Sequence, residues 1–136
     1  VRFLDSRDYP GSMLVGIAIE LLQGEIAYRQ GDYDIAVEHF EQAVATQDLL
    51  PYTEPPFWYY PTRQSLEAAL LANGQLPEAE AVFRRDLELY PHNGWSMFGL
   101  AQSLEAQGKS NEADEVRHHF DAAWQFADIE LSGAIL

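Results

Sequence analysis

Four histidines, 22 carboxylates and no cysteine are the groups to weigh first for acid–base, nucleophilic or metal chemistry, and their spacing serves none of these. His118 and His119 are neighbours, so on a helix they point about 100° apart and cannot chelate one ion together. His39 has no second histidine four residues on, and His92 follows Pro91 in a turn. The acid pairs Asp32 with Asp34 and Glu78 with Glu80 fall where helices begin, where carboxylates complement the partial positive charge of a helix N-terminus. There is no glycine-rich phosphate loop and no Ser/His/Asp arrangement on one face. Without cysteine there is no thiolate or disulfide, and the redox compartment is not marked. An enzyme is therefore not expected, nor a cofactor or a metal site.

Aromatic chemistry is plentiful instead, with three Trp, seven Tyr and seven Phe. The densest cluster is Phe57-Trp58-Tyr59-Tyr60. Trp and Tyr anchor interfaces, so Trp58, Tyr59 and Tyr60 are candidates for a sticky surface. The same cluster could fold back as a lid over the protein's own core. Eight basic residues against 22 acids leave a net charge of −14, a field that repels phosphate backbones and anionic lipid. Nucleic-acid and membrane partners are thus disfavoured, while the surplus either attracts a basic partner or simply solvates helical surface.

The elements that must position these residues are helices. At 47% hydrophobic and 22% charged, 136 residues are enough for one folded domain, 1–136. No apolar run approaches the roughly 18–20 residues of a membrane span; the longest, 13–22, is broken by Gly16 and Glu20. Val1-Arg2-Phe3-Leu4-Asp5 carries charges where a secretory signal would be apolar. The cytoplasm is favoured on that ground, though the compartment is not fixed.

Helical periodicity covers 12–30, 34–46, 66–73, 77–90, 93–107 and 111–127. The helix over 12–30 carries two apolar stripes. Met13, Leu14, Ile17, Leu21 and Tyr28 form one, and Val15, Ile19, Leu22 and Ile26 form the other. Two such faces imply a helix sandwiched between neighbours. In the last helix Val116, Phe120, Ala123, Trp124 and Ala127 are expected inward.

One skeleton occurs three times: Gln30-Gly31-Asp32-Tyr33-Asp34-Ile35-Ala36, Asn73-Gly74-Gln75-Leu76-Pro77-Glu78-Ala79 and Gln107-Gly108-Lys109-Ser110-Asn111-Glu112-Ala113. Each has a glycine that stops one helix, a short turn, and an alanine early in the next. The glycines lie 43 and then 34 residues apart, so an insert separates the first two copies. It falls in 48–61, where Pro51, Pro55, Pro56 and Pro61 predict an extended or kinked path, with a helical start at Pro56 as the alternative.

These residues resemble the tetratricopeptide repeat family. Its Ala-x3-Phe signature fits Ala36 with Phe40 and Ala79 with Phe83, whereas the third copy keeps Ala113 but has Arg117 in place of Phe. First-helix matches are sparser, at Gly24, Leu66 and Leu100 with Ala101, and the closing proline is Pro91. The resemblance covers about 17–126. It implies an all-α fold, a right-handed α-α superhelix (solenoid) of three hairpins at about 12–47, 61–91 and 93–127, with a tail at 128–136.

The resemblance also implies a protein–protein interaction scaffold with a concave face lined by the first helices. Its candidates are Leu21, Glu25, Tyr28 and Arg29; then Gln64, Ala68 and Leu71; then Trp95, Phe98, Gln102 and Glu105. Some relatives clamp a terminal carboxylate with Lys and Asn. The corresponding positions here are Leu21, Glu25, Ser65, Trp95 and Gly99, so that clamp is missing. A protein or peptide partner held by aromatic and amide contacts is expected, as an extended or helical segment. The second stripe of the first helix has only residues 1–11 to cover it. Terminal repeats normally turn a polar face outward. The chain is therefore expected either to be a fragment of a longer repeat protein or to form a homo-oligomer through that stripe. The apolar end Phe126, Ile129, Leu131, Ile135 and Leu136 would cap the stack or meet a second copy.

Overall fold

A computed structural model describes residues 2–5, 9–129 and 131. Ile135 and Leu136 of the expected apolar end lie outside the described residues. Within them the chain is all-helical: α1 (Arg2–Asp5), α2 (Gly11–Gln30), α3 (Tyr33–Asp48), α4 (Thr62–Ala72), α5 (Leu76–Leu89), α6 (Gly94–Ala106) and α7 (Ser110–Trp124). Two compact units divide it, Val1–Leu66 and Glu67–Leu136.

The three glycine turns are the same device repeated. Gly31, Gly74 and Gly108 have φ of 84°, 73° and 76°, the left-handed region that a side chain disfavours. In each turn the glycine N–H donates to the carbonyl three residues back: Tyr28, Leu71 and Glu105, at 3.1, 3.1 and 2.9 Å. The next N–H donates to the carbonyl five back, those of Ala27, Leu70 and Leu104, at 3.0, 3.0 and 2.9 Å. This paired closure satisfies the orphan carbonyls of the helix that ends. The alanine that follows, Ala36, Ala79 or Ala113, is fully buried in every copy.

In the first unit α2 and α3 form a hairpin. Phe40 lies over Gly24, where an added Cβ would come within 2.4 Å of its ring. Ile17, Ala27, Ala36, Val37 and Ala43 complete that core. Only one of the two expected stripes of α2 is used. Val15, Ile19, Leu22 and Ile26 are 45–62% exposed, so the sandwich inferred from two apolar faces is corrected to a helix covered on one side. The hairpin partner α3 packs on one side of α2, and the one-turn α1 adds a short contact.

The segment between α3 and α4 contains no helix, so the alternative start at Pro56 is set aside. α4 begins at Thr62, four residues before the periodicity suggested. Gln47 explains the early start. Its Oε1 accepts from the Thr62 N–H at 3.0 Å and from the Thr62 hydroxyl at 2.6 Å, capping α4 from the last turn of α3. Arg63 pairs with Asp48 beside it.

In the second unit α6 packs between α5 and α7. Phe83 of α5 lies over Gly99, where a Cβ would approach its ring to 2.2 Å. The α5–α6 turn is fastened by Asp86, which is fully buried. Its Oδ2 accepts from Asn93 Nδ2 and from Ser96 Oγ, both at 2.7 Å, and Asn93 Oδ1 accepts from the Trp95 N–H at 3.1 Å as the N-cap of α6. α7 stops at Trp124, and Ala123 and Ala127, expected inward, are exposed. Among the described helices, α6 supplies the packing on α7, and α5 reaches it through the exposed Arg84–Glu112 ion pair at 2.9 Å, so a single narrow stripe of Ala113, Val116, Phe120 and Trp124 suffices.

Candidate recognition surface

α6 and α7 bring four aromatic rings together. Trp95 meets Trp124 edge-on at 6.0 Å, Phe98 meets Phe120 at 5.7 Å, and Phe120 stacks on Trp124 at 5.5 Å with 22° between the planes. Gly94 makes this possible, because a Cβ there would lie 2.2 Å from the Trp124 ring. Offset and edge-on pairs of this kind favour one another beyond the area they bury.

Beside the aromatic row an open cleft of about 300 Å³ lies between the two helices. α6 contributes Phe98, Ala101, Gln102 and Glu105; α7 contributes Arg117, Phe120 and Asp121. The spacing explains the wall. Residues 98, 101, 102 and 105 recur at i, i+3, i+4 and i+7, and 117, 120 and 121 do the same on α7. Arg117 stands where the first two copies carry Phe40 and Phe83. Its guanidinium turns outward to Glu105 and, at 3.4 Å, to Asp114. These pairs are solvent-exposed and contribute little to stability.

The sequence-derived candidates are distributed as follows. Phe98, Gln102 and Glu105 come together on the cleft, and Trp95 joins them through the aromatic row. On α2, Tyr28 packs edge-on against Tyr33 at 5.4 Å, and Glu25 pairs with Arg29 at 3.5 Å. Partial burial, then the neighbouring Tyr33 and Glu25, raise the Tyr28 phenol above its ordinary pKa, so it stays a neutral hydrogen-bonding group. Gln64 and Leu71 are half-buried on α4. Ala68 is corrected: it is 6% exposed and offers no contact surface, because α4 is enclosed all round from Ser65 to Leu70.

The aromatic insert divides. Phe57 packs edge-on against Tyr9 at 5.1 Å, the Trp58 indole nitrogen is buried, and the Tyr60 hydroxyl lies 3.3 Å from Ser65 Oγ. Tyr59 is 89% exposed. The cleft residues that sequence reasoning left out as contacts are Ala101, Arg117, Phe120 and Asp121. A signal existed in the matched i, i+3, i+4 spacing of the α7 positions facing α6.

The best-connected charge is Glu80. It accepts from Lys109 at 2.7 Å and from Gln107 and Arg84 at 2.9 Å each. The Lys109 hydrogen bond outweighs partial burial and, with Gln107 and Arg84, lowers its pKa to about 2. This network fastens α5 to the α6–α7 turn. No group of three or more His, Asp or Glu among the described residues could hold a metal ion, and no described helix is long and apolar enough to cross a membrane.

A family model described as tetratricopeptide repeat matches residues 21–56 and 68–115. No curated protein and no solved structure matches the chain. The two matched stretches include all three glycine turns and both Ala-x3-Phe pairs, and together they span more than half the chain. With the same paired turn closure in each hairpin, the chain belongs to the tetratricopeptide repeat family, whose repeats are generally protein-interaction modules and typically not enzymes.

Proposed function

We propose that this protein is a polypeptide-binding scaffold whose principal contact is the α6–α7 cleft. The observation carrying this reading is the composition of that cleft. An apolar floor of Phe98, Ala101 and Phe120 is bordered by Gln102, Glu105 and Asp121. Glu105 is engaged by Arg117, whereas Asp121 has no described ion-pair partner. The fitting occupant is a segment that inserts an apolar or aromatic side chain on the floor and sets a lysine or arginine against Asp121. An aromatic anchor in a pocket with a polar border is the arrangement that concentrates binding energy in few residues. Trp95 extends the floor. Glu25, Tyr28 and Arg29 on α2 form a separate contact patch of the same mixed character.

Fluorescence anisotropy with labelled peptides alternating Leu or Phe with Lys or Arg tests this. Binding near micromolar strength is expected, with acidic counterparts not binding. Gln102→Trp fills the cleft from an exposed position, and Asp121→Lys reverses its border charge. Each is expected to weaken binding at least about tenfold. Unchanged affinity in both variants overturns the assignment to this cleft.

A further inference from the structure

We infer that the exposed stripe of α2 is a docking surface for a second copy of this chain, paired antiparallel about a two-fold axis between residues 19 and 22. This goes beyond the peptide-binding reading and uses a different face from the α6–α7 cleft, with Glu25 of the α2 patch at its edge.

The first observation is spacing. Val15, Ile19, Leu22 and Ile26 are separated by four, three and four residues, so at 100° per residue they fall within one narrow arc of α2. That order is the same read in either direction. Two copies laid antiparallel therefore set Val15 against Ile26 and Ile19 against Leu22, and each pair occurs twice. A self-complementary patch is what an isologous two-fold contact requires. Alternating three- and four-residue steps also give the ridge-into-groove fit of helices crossing at a shallow angle.

The second observation is charge. Two copies of net charge −14 repel each other, so a contact between them needs a strip without acids. The arc provides one: Glu20 points to the other side of α2, where its carboxylate meets His39 at 2.8 Å. The flanks are Gly16 and Gln23 on one side, Ala18 and Glu25 on the other. In the antiparallel register Gln23 lies opposite Gly16 of the second copy and Glu25 opposite its Ala18. No like charges face each other, and each long side chain meets a small one.

The third observation is Gly16 itself. A Cβ added there meets nothing within 4 Å, so no contact inside the protomer calls for glycine in the middle of a twenty-residue helix. The antiparallel pair supplies a reason, since Gln23 of the second copy crosses at that point.

Sedimentation equilibrium on the whole chain is the first test. A monomer–dimer equilibrium is expected, strengthened by added salt because screening relieves the repulsion. Ile19→Glu, at an exposed position, is expected to shift the association midpoint to at least about tenfold higher concentration while the circular-dichroism melt is kept. The second test fixes the geometry. The chain has no cysteine, so Val15→Cys and Ile26→Cys each introduce a single thiol. With a short bis-maleimide the mixture of the two variants is expected to cross-link across types, and neither variant efficiently with itself. Self-cross-linking of Val15→Cys overturns the antiparallel register. A species that stays monomeric at all concentrations and salt levels overturns the pairing altogether. Peptide binding at the α6–α7 cleft is read out independently and survives either result.

Discussion

Glu80 shows how one side chain fastens three elements. Its carboxylate collects Lys109, Gln107 and Arg84 while its side chain is only 14% exposed. The folded-state pKa of about 2 lies below the ordinary 4.5, so the folded state favours the charged form. The corresponding stability is complete at pH above the ordinary value and disappears as pH falls through about 2. Since Lys109 and Arg84 are nearly half exposed, screening reduces the effect to about 1–2 kcal/mol. Glu80→Gln is thus expected to lower the urea midpoint clearly near neutral pH. The gap to the parent should close in acid near pH 2. A gap independent of pH would mean that the side chain acts through packing rather than charge.

At the scale of elements, the three glycine turns share one closure and should share one energetic cost. Each has open space where a Cβ would be, so substitution meets only the backbone penalty of a left-handed residue. Gly31→Ala, Gly74→Ala and Gly108→Ala are each expected to destabilise by about 1–2 kcal/mol, and the Asn variants by less, as read from thermal melts. A turn that tolerates Ala without loss would show that its hairpin is held by packing alone. These turns were legible because glycine and proline act on the local backbone whatever surrounds them. The ends of α2, α5 and α6 therefore follow from sequence to within about a residue. The start of α4 did not, because Thr62, Arg63 and Gln64 carry no apolar period and their cap comes from Gln47, fifteen residues earlier. Burial was misread for the same kind of reason. Periodicity shows that Val15, Ile19, Leu22, Ala123 and Ala127 could face a neighbour, but only the count of packed helices decides whether one is there. The cleft was half legible: Phe98, Gln102 and Glu105 were found on α6, while the α7 wall depends on Arg117 turning away to Glu105.

Across the whole molecule, charge separates the two kinds of association. Every lysine and arginine whose side chain is described is already in an ion pair: Arg29, Arg63, Arg84, Arg85, Lys109 and Arg117. These six bases are thus spent on the protein's own carboxylates; Glu67 and Asp86 are buried, and most of the acid surplus behind the net charge of −14 lies on exposed or half-exposed residues. An incoming basic segment is attracted by this field before it touches the cleft, mainly through its association rate. The Debye length contracts from about 30 Å at 0.01 M salt to about 8 Å at 0.15 M, which removes most of that long-range attraction. Peptide affinity is therefore expected to fall as salt rises, with the loss concentrated in the on-rate measured by stopped-flow anisotropy. Pairing through the uncharged strip of α2 should respond in the opposite sense, because salt screens repulsion between two acidic copies. Opposite salt responses in the two assays would place attraction at one face and apolar contact at the other. A peptide affinity that does not change with salt would leave the aromatic floor as the whole source of binding and remove the basic partner from the picture.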